Sequence, residues 1–198
     1  MIITIEQLRA ICLQLPKNGD VFIPYLNEFM PAYGIDTHAA AAMFLAQAAH
    51  ESGQFKYTQE IASGKAYEGR ADLGNTQPGD GVRYKGRGIF QITGRANYKT
   101  CGAALGLDLI SHPTLLETPQ YAVQSACWYW QSRKLSDIAN SPKKTYQVTR
   151  NKKVYTLTAF EYLTTRINGW LNGIEDRETF WERAKQKVYA YDDSMPQT

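Results

Sequence analysis

The segment Phe44-Leu-Ala-Gln-Ala-Ala-His-Glu-Ser-Gly53 decides the fold of this chain, because it is an almost wholly apolar helix that ends at a glycine. Asp36 and Thr37 are good N-cap residues, and the alanine-rich run that follows them has high helix propensity. A helix without a polar stripe is expected to lie buried inside a helical protein. The one carboxylate of the segment, Glu51, falls in the last turn of this helix.

The position of Glu51 makes it a candidate general acid. The C-terminal end of a helix carries the negative end of the helix dipole, which disfavours a further negative charge there. Partial burial disfavours the charged carboxylate in the same direction. A carboxyl group that is protonated near neutral pH can donate its proton to a leaving group. The plain alternative is a glutamate that only faces solvent at the end of a helix.

Length and composition point to one ordinary soluble domain. The 198 residues suffice for a single core, and we expect a monomer. The hydrophobic fraction is 43%, the charged fraction is 21%, and no apolar run approaches the ~18 residues of a membrane span. The first ten residues resemble a capped amphipathic helix, so we expect no signal peptide and no stable membrane insertion. The net charge of +3 indicates mild attraction to polyanions.

Neither the cysteines nor the histidines form a pattern that binds a metal. Cys12, Cys101 and Cys127 are odd in number and lack metal-type spacing, so we expect no disulfide framework. His50 and the glutamate after it begin a zinc-protease motif, but Gln54 stands where the second histidine is needed. The chain also lacks a nucleophile elbow and a phosphate-binding loop. We therefore expect no metal and no organic cofactor.

The remaining pattern predicts a mainly α-helical domain (1–198) with two lobes. Residues 53–88 are rich in glycine and have little helical periodicity, which indicates a small loop-rich lobe, partly stranded. Residues of about 1–52 and 89–198 then form a large helical lobe. Its further helices are predicted at about 4–15, 21–30, 97–105, 119–133, 157–168 and 176–191.

Alternating residues between 143 and 158 predict a short β-hairpin. Its five basic residues suit an anionic wall or nucleic acid, or simply a solvated edge that resists aggregation. No nucleic-acid motif accompanies them, so we expect no nucleic-acid partner. The five residues are Lys143, Lys144, Arg150, Lys152 and Lys153.

Carboxylates around the glycine-rich segment suggest acetal hydrolysis. Such a reaction needs one protonated carboxyl group for the leaving oxygen and a second, ionised one that activates water. It also needs neutral polar groups that hold sugar hydroxyls, and aromatic faces on which sugar rings stack. The carboxylates are Glu51, Glu60, Glu68 and Asp72; the polar groups are Gln91, Thr93 and Asn97; the aromatic candidates are Tyr57, Tyr67, Tyr84, Tyr98 and Trp170.

Three ordered motifs carry a family resemblance. They are His-Glu-Ser-Gly at 50–53, Gly-Arg-Gly-Ile-Phe-Gln-Ile-Thr-Gly-Arg-Ala-Asn-Tyr at 86–98, and Arg-Ile-Asn-Gly-Trp-Leu-Asn-Gly-Ile-Glu-Asp-Arg at 166–177. Together they resemble glycoside hydrolase family 19, in particular its bacteriophage and prophage endolysins, over residues from about 37 to 185. The resemblance implies a lysozyme-like fold in two lobes. It also implies inverting hydrolysis of a β-1,4 bond beside an N-acetylated amino sugar.

The resemblance also implies roles for individual residues. Glu51 matches the general acid of the family. Gln91 and Asn97 match the amides that hold substrate, and Thr93 takes the place of the hydroxyl residue that positions the attacking water. Tyr84 and Tyr98 fall beside or within the same motif and are expected to contact substrate.

Two assignments stay open within the resemblance. Asn168 and Arg177 fall in the C-terminal motif, where they are expected to bind substrate, but Arg177 is equally suited to a structural salt bridge. No close copy of the second-glutamate motif of the plant chitinases follows Glu51. Glu60 is our choice as the base, and Glu68 is the runner-up.

These expectations combine into a muramidase-type endolysin that cleaves bacterial peptidoglycan. Without a signal peptide, such an enzyme accumulates in the host cytoplasm and reaches the wall in the periplasm through a separate membrane lesion. A chitinase acting on poly-N-acetylglucosamine is the nearest alternative. A non-catalytic wall-binding module is another, although binding alone needs neither an acid nor a water-holding hydroxyl.

Overall fold

The computed structural model describes residues 3–188, and its architecture is mainly helical. The elements of that range are α1 (Ile5–Ile11), α2 (Ile23–Ala32), α3 (His38–Glu51), α4 (Asp80–Arg83), α5 (Arg95–Leu105), α6 (Pro119–Ser132), α7 (Leu135–Ala139), β1 (Thr145–Arg150), β2 (Lys153–Thr158), α8 (Ala159–Asn168) and α9 (Ile174–Lys187). The predicted mainly α-helical class with a short hairpin is confirmed. In this part of the chain, none of the helices has the length and apolar character needed to cross a bilayer.

Helix α3 lies at the centre of the main hydrophobic core. The Thr37 hydroxyl accepts a hydrogen bond from Ala40 N at 3.1 Å and caps the helix, as predicted. Every residue from 40 to 49 is buried, as expected for a helix with no polar stripe. Helix α9 packs along α3, so the first turn of α9 lies beside the end of α3. This packing places Arg177, in the first turn of α9, against Glu51 at the end of α3.

The predicted helix boundaries shift by a few residues. Helix α1 ends at Ile11 rather than at residue 15, and a 3₁₀ turn at Gly19–Phe22 precedes α2. Helix α2 ends at Ala32, two residues beyond the predicted end at residue 30, with Pro31 in its last turn. Helix α9 begins at Ile174 and ends at Lys187, short of the predicted end at residue 191; residues 189–191 lie outside the described residues.

The hairpin forms where the alternating pattern predicts it. Strands β1 and β2 pair antiparallel, from Thr145 opposite Thr158 to Arg150 opposite Lys153. The two turn residues have positive φ (50° and 64°), which gives the twist that two-residue hairpin turns favour. The ring of Tyr146 on β1 stacks on a tyrosine of α8, Tyr162, with 4.2 Å between centroids. The hairpin is thereby fixed to the helical part of the molecule.

Residues 53–88, the loop-rich segment, are built from turns instead. They contain two 3₁₀ turns (Lys65–Tyr67 and Ala71–Leu73), α4, and isolated bridges rather than strands. The buried carboxylate of Asp80 accepts two hydrogen bonds from Arg95, at 2.5 and 2.8 Å, which ties the segment to α5. A second hydrophobic cluster draws on residues on both sides of the predicted lobe boundary at 88; its members are Tyr84, Ile92, Tyr98, Cys101, Leu109 and Leu116.

Candidate active site

Glu51 ends the buried helix α3 and lies at the edge of the main core. Its side chain keeps 19% of its exposure, so it is reachable from solvent. The guanidinium of Arg177, in the first turn of α9, donates to Glu51 Oε1 at 2.5 Å. The carboxyl group of Glu51 is thus fixed at the end of α3 by an arginine from α9.

Arg177 is a buried structural partner, not a surface group. Only 1% of the residue is exposed, and it also donates to Gln47 Oε1 and to Asn172 O. The Gln47 amide in turn donates to Thr164 Oγ1 at 2.8 Å. The expectation that Arg177 contacts substrate is therefore wrong, and the salt bridge to Glu51 takes its place. This network fixes the orientation of the Glu51 carboxyl group.

Glu60 comes from the loop-rich segment and has one oxygen without a partner. Its backbone N–H donates to Gly86 O at 2.9 Å, and the Tyr67 hydroxyl donates to Glu60 Oε2 at 2.9 Å. Burial, and then the hydrogen bond to Glu60, raise the pKa of Tyr67, so this hydroxyl stays a donor. Within residues 3–188, Oε1 of Glu60 is buried and has no hydrogen-bond partner. An unpaired carboxylate oxygen is suited to accept a proton from water.

Glu68, the other candidate base, is fully occupied by the backbone. Its Oε1 accepts from Gly79 N at 2.6 Å, and its Oε2 accepts from Gly81 N at 2.8 Å. Both oxygens therefore hold the loop that leads into α4. This geometry favours Glu60 over Glu68 as a base, although the assignment stays a prediction.

Three polar side chains converge on one point beside Gly86. A Cβ atom built on Gly86 would lie 2.7 Å from Gln91 Oε1, 3.1 Å from Glu60 Oε2 and 3.3 Å from Thr93 Oγ1. A side chain at position 86 would have to push the Gln91 amide aside. The Glu60 carboxylate, the Thr93 hydroxyl and the Gln91 amide therefore lie next to one another beside the backbone of Gly86.

Local hydrogen bonds orient these groups. Gln91 has φ of +50°, unusual for a residue other than glycine, and its amide donates to Gly88 O at 2.8 Å. Its Oε1 is buried and unpaired among the described residues. The Thr93 hydroxyl donates to Gln91 O at 2.9 Å, which leaves its lone pairs free to accept. Asn97 is exposed and donates to Thr93 O at 2.7 Å.

A cavity of about 220 Å³ extends from these groups toward α6. Gln91, Thr93 and Asn97 line one side of it, and Trp128 and Tyr129 line the other. Burial raises the pKa of Tyr129, and the Glu51 carboxylate adds to the shift, so the acid lies near this cavity. Trp128 and Tyr129 offer aromatic surface that the sequence reading missed, because both stand in a helix whose apolar residues indicate core.

Three other predicted contact residues have different roles. Tyr84 and Tyr98 are wholly buried in the second cluster, where their hydroxyls donate to Ile110 O and Lys85 O. The prediction that these two rings face a substrate is wrong, because both are fully buried and an arginine guanidinium lies over each of them. Asn168 donates to Asn172 O at 3.0 Å and accepts from Trp170 N at 3.0 Å. Its amide therefore holds the turn between α8 and α9.

A second pair of ionisable side chains lies between α3 and α9, beside Glu51. His50 pairs with Asp176 at 2.6 Å, next to Glu51. In the described range, no three histidine, cysteine, aspartate or glutamate side chains are grouped to hold a metal ion.

Comparisons with known proteins place the chain among chitinase-like enzymes. The family model described as "Chitinase class I" (Glyco_hydro_19) matches residues 29–185. A "Glycosyl hydrolase family 19 domain-containing protein" of Haemophilus influenzae is 32% identical over 167 residues, 69% of this chain and 74% of that protein. An endochitinase of Arabidopsis thaliana is 40% identical over 110 residues, 55% of this chain but only 38% of its own length.

Solved structures share the fold. Chitinase C from Streptomyces griseus superposes with a TM-score of 0.69 at 22% identity, covering 96% of this chain and 79% of that one. A class IV chitinase from Zea mays superposes with a TM-score of 0.58 at 18% identity, covering 97% and 85%. The lysozyme-like helical fold predicted from the motifs is confirmed by these matches.

Proposed function

The chain belongs to glycoside hydrolase family 19, and on that premise we propose that it is an endolysin that hydrolyses β-1,4 bonds of bacterial peptidoglycan with inversion. That it is a glycoside hydrolase of chitinase type follows from the family match over residues 29–185. The peptidoglycan substrate, the lytic role and the residue roles below are our proposal.

One observation carries the proposed mechanism: the convergence of Glu60, Thr93 and Gln91 on one point beside Gly86. A water beside these groups would donate one hydrogen bond to Thr93 Oγ1 and the other to Glu60, and Glu60 would take that proton as the water attacks the sugar. Inverting enzymes place a water between two carboxyl groups in this way. Glu60 Oε1 and Gln91 Oε1 are both buried and unpaired within residues 3–188, which is a cost to stability without a functional role.

Glu51 is the general acid of the proposed mechanism. It donates its proton to the leaving oxygen and becomes negatively charged as the bond breaks. The guanidinium of Arg177, 2.5 Å away, then stabilises the carboxylate that forms. The buried network behind Arg177 holds this charge in a fixed position, so no reorganisation is needed during the reaction.

Two features support a wall substrate. The family 19 relative from Haemophilus influenzae is matched over 74% of its length, whereas the matches to two endochitinases of Arabidopsis thaliana cover 38% of theirs. The net charge of +3 favours an anionic polymer over a neutral one. In this proposal the enzyme acts as a monomer at the peptidoglycan of the periplasm, after the host membrane has been breached.

A chitinase is the second candidate, favoured by the family description and by the endochitinases among the relatives. Release of reducing sugar from purified peptidoglycan and from colloidal chitin separates the two candidates. We expect release from peptidoglycan, and at most slow release from chitin. Release from chitin alone would establish the chitinase and reject the endolysin.

The Glu51→Gln variant serves as the control in both assays, since its loss of activity assigns the release to this site. A turbidity assay on outer-membrane-permeabilised Gram-negative cells then tests the lytic role. A wild-type protein that binds such cells without clearing them would instead support the wall-binding module.

A further inference from the structure

The cavity of about 220 Å³ lined by Gln91, Thr93 and Asn97 is called the substrate cleft below. A second cavity lies beside it and is lined mainly by cationic side chains. Its volume is about 320 Å³, and it lies between the turn after α6, the start of the hairpin and α8. We call it the basic pocket; it is formed by Arg133, Lys134, Lys144, Arg166, Tyr146 and Tyr162. All four cationic residues are exposed.

The charges of the basic pocket are not balanced from within. Asp137 is the only acidic residue among those that line it, and it is exposed as well. None of the four cations forms a salt bridge with any residue between 3 and 188. A cavity with four cations and one carboxylate attracts an anionic ligand. It is unsuited to a neutral sugar alone.

The framework of the pocket is rigid. The stacked rings of Tyr146 and Tyr162 form its floor, with an interplanar angle of 11°. The Lys144 ammonium lies 5.2 Å from the centroid of Tyr146, and the Arg133 guanidinium lies 3.5 Å from the centroid of Tyr129. Cation–π contacts limit the freedom of both charged groups. The cations are therefore partly ordered before a ligand arrives.

The basic pocket is continuous with the substrate cleft. Arg133 lines both cavities, and Tyr129, which lines the cleft, donates from its hydroxyl to the carbonyl oxygen of Arg166 at 3.3 Å. A sugar strand in the cleft would therefore present any side branch near these cations. Chitin carries no ionised branch, whereas the lactyl branch of peptidoglycan ends either in a free carboxylate or, through an amide bond, in a peptide that carries carboxylates.

We propose that the basic pocket is a subsite for the carboxylates that branch from a peptidoglycan strand, and that it gives the enzyme its preference for that substrate. This inference rests on the proposed function. The lactyl group and the stem peptide share the carboxylate chemistry, and substrate arms in the experiment distinguish them.

The test compares the wild type with the double variant Lys134→Gln/Lys144→Gln on three soluble glycan strands. The first strand keeps its stem peptides, the second has been freed of peptides by an amidase, and the third is the first after carbodiimide amidation of its carboxylates. We expect the double variant to raise KM on the peptide-bearing strand about 3- to 10-fold, because exposed ionic contacts are individually modest. On the amidated strand the two proteins should have the same KM.

The peptide-free strand shows which carboxylate the basic pocket binds. A KM increase on the peptide-bearing strand assigns the pocket to the carboxylates of the stem peptide, because the lactyl carboxyl group is an amide there. An increase on the peptide-free strand alone assigns it to the lactyl carboxylate that the amidase releases. The matched control is Lys152→Gln/Lys153→Gln, which removes the same charge from the far end of the hairpin. Circular dichroism and the melting temperature establish that both double variants are folded.

Failure of the inference is distinct from failure of the proposed function. If the wild type cleaves the strands and the pocket variant has unchanged KM, or if the control raises KM equally, the subsite is rejected and the endolysin stands. If the wild type cleaves chitin oligomers and none of the three strands, both are rejected.

Discussion

The two carboxylates of the site are held by opposite means. Glu51 ends a helix whose residues 40–49 are all buried, and a buried arginine from a neighbouring helix fixes its carboxyl group. Glu60 lies in a segment of turns, where the Tyr67 hydroxyl contacts its carboxylate and its backbone pairs with Gly86 O and the Lys85 ammonium. The proposed acid is thus fixed by a buried core, whereas the proposed base is fixed by hydrogen bonds between turns.

This contrast predicts that the ion pair between Glu51 and Arg177 contributes most to the stability of the protein. Arg177→Met leaves Glu51 and Gln47 without their partner, and breaking a buried pair typically costs ~3–5 kcal/mol. We expect the melting temperature to fall by roughly 6 to 20 °C. Arg183→Met, on the same helix, is the matched control, because Arg183 forms no ion pair within the described chain. Equal losses in both variants would contradict the role given to the network.

The next effect separates the two carboxylates chemically. Glu51→Gln removes the transferable proton while keeping the shape, and we expect activity to fall by at least ~10²-fold. Glu60→Gln should be similarly damaging, whereas Glu68→Gln should lose mainly stability, because its two oxygens hold backbone N–H groups. Rates per folded molecule, with folding followed by circular dichroism, give the comparison. The reverse ranking of the last two variants would move the base to Glu68.

A smaller effect is expected at Thr93, whose hydroxyl positions the attacking water in the proposed mechanism. Thr93→Val keeps the shape and loses the hydroxyl, and we expect the rate to fall roughly 10- to 100-fold for ~1.5–3 kcal/mol. Thr93→Ser should be mild. If the hydroxyl only ties down Gln91 O, the valine variant will instead lose melting temperature more than activity.

Stereochemistry checks the same assignment independently. Attack by a water held opposite Glu51 gives the α-anomer from a β-linkage in one displacement. Proton NMR of the first products, recorded before mutarotation, reads the anomer directly. An initial β-anomer would show a retaining mechanism and remove the role proposed for Thr93.

The helices were predictable from sequence because their signals are local. A cap at Thr37, an unbroken apolar run and a terminal glycine predicted α3 to within two residues, and alternation predicted the hairpin. The loop-rich segment, residues 53–88, has no hydrophobic periodicity that predicts a helix or a strand. Its turns depend on contacts distant in sequence, such as Asp80 with Arg95, which no local pattern encodes.

The sequence predicted which residue types form the site better than it predicted which side chains are exposed. Gln91 and Thr93 lie together beside Glu60, but Tyr84 and Tyr98 face inward. A tyrosine satisfies its hydroxyl equally well in a core or at a ligand, so its residue type alone does not decide the direction of its ring. Arg177 posed the same ambiguity, and only the packing of α9 on α3 decided it.

The smallest predicted effect tests how the loop-rich segment is stabilised. The hydrogen bonds from Arg95 are the main cause that lowers the pKa of Asp80, so the folded protein favours the aspartate anion. Asp80→Asn should lower the melting temperature by roughly 2 to 8 °C at neutral pH, for a loss of ~1–2 kcal/mol. A lowered pKa stabilises the fold above the unfolded value of ~3.9, and that contribution is lost as the pH falls through the folded value. The difference between wild type and variant should therefore be constant above about pH 5 and shrink below about pH 4.

Asp72 supplies the matched control within the same segment. It also accepts two hydrogen bonds from an arginine, Arg70, and this contact is the main cause that lowers its pKa. Both side chains are about half exposed or more, so water replaces the contact when it breaks. Asp72→Asn should leave the melting temperature unchanged within error at every pH. Calorimetric scans of both variants between pH 2.5 and pH 7 decide the point, since equal shifts would mean that burial of Asp80 adds nothing to its ion pair.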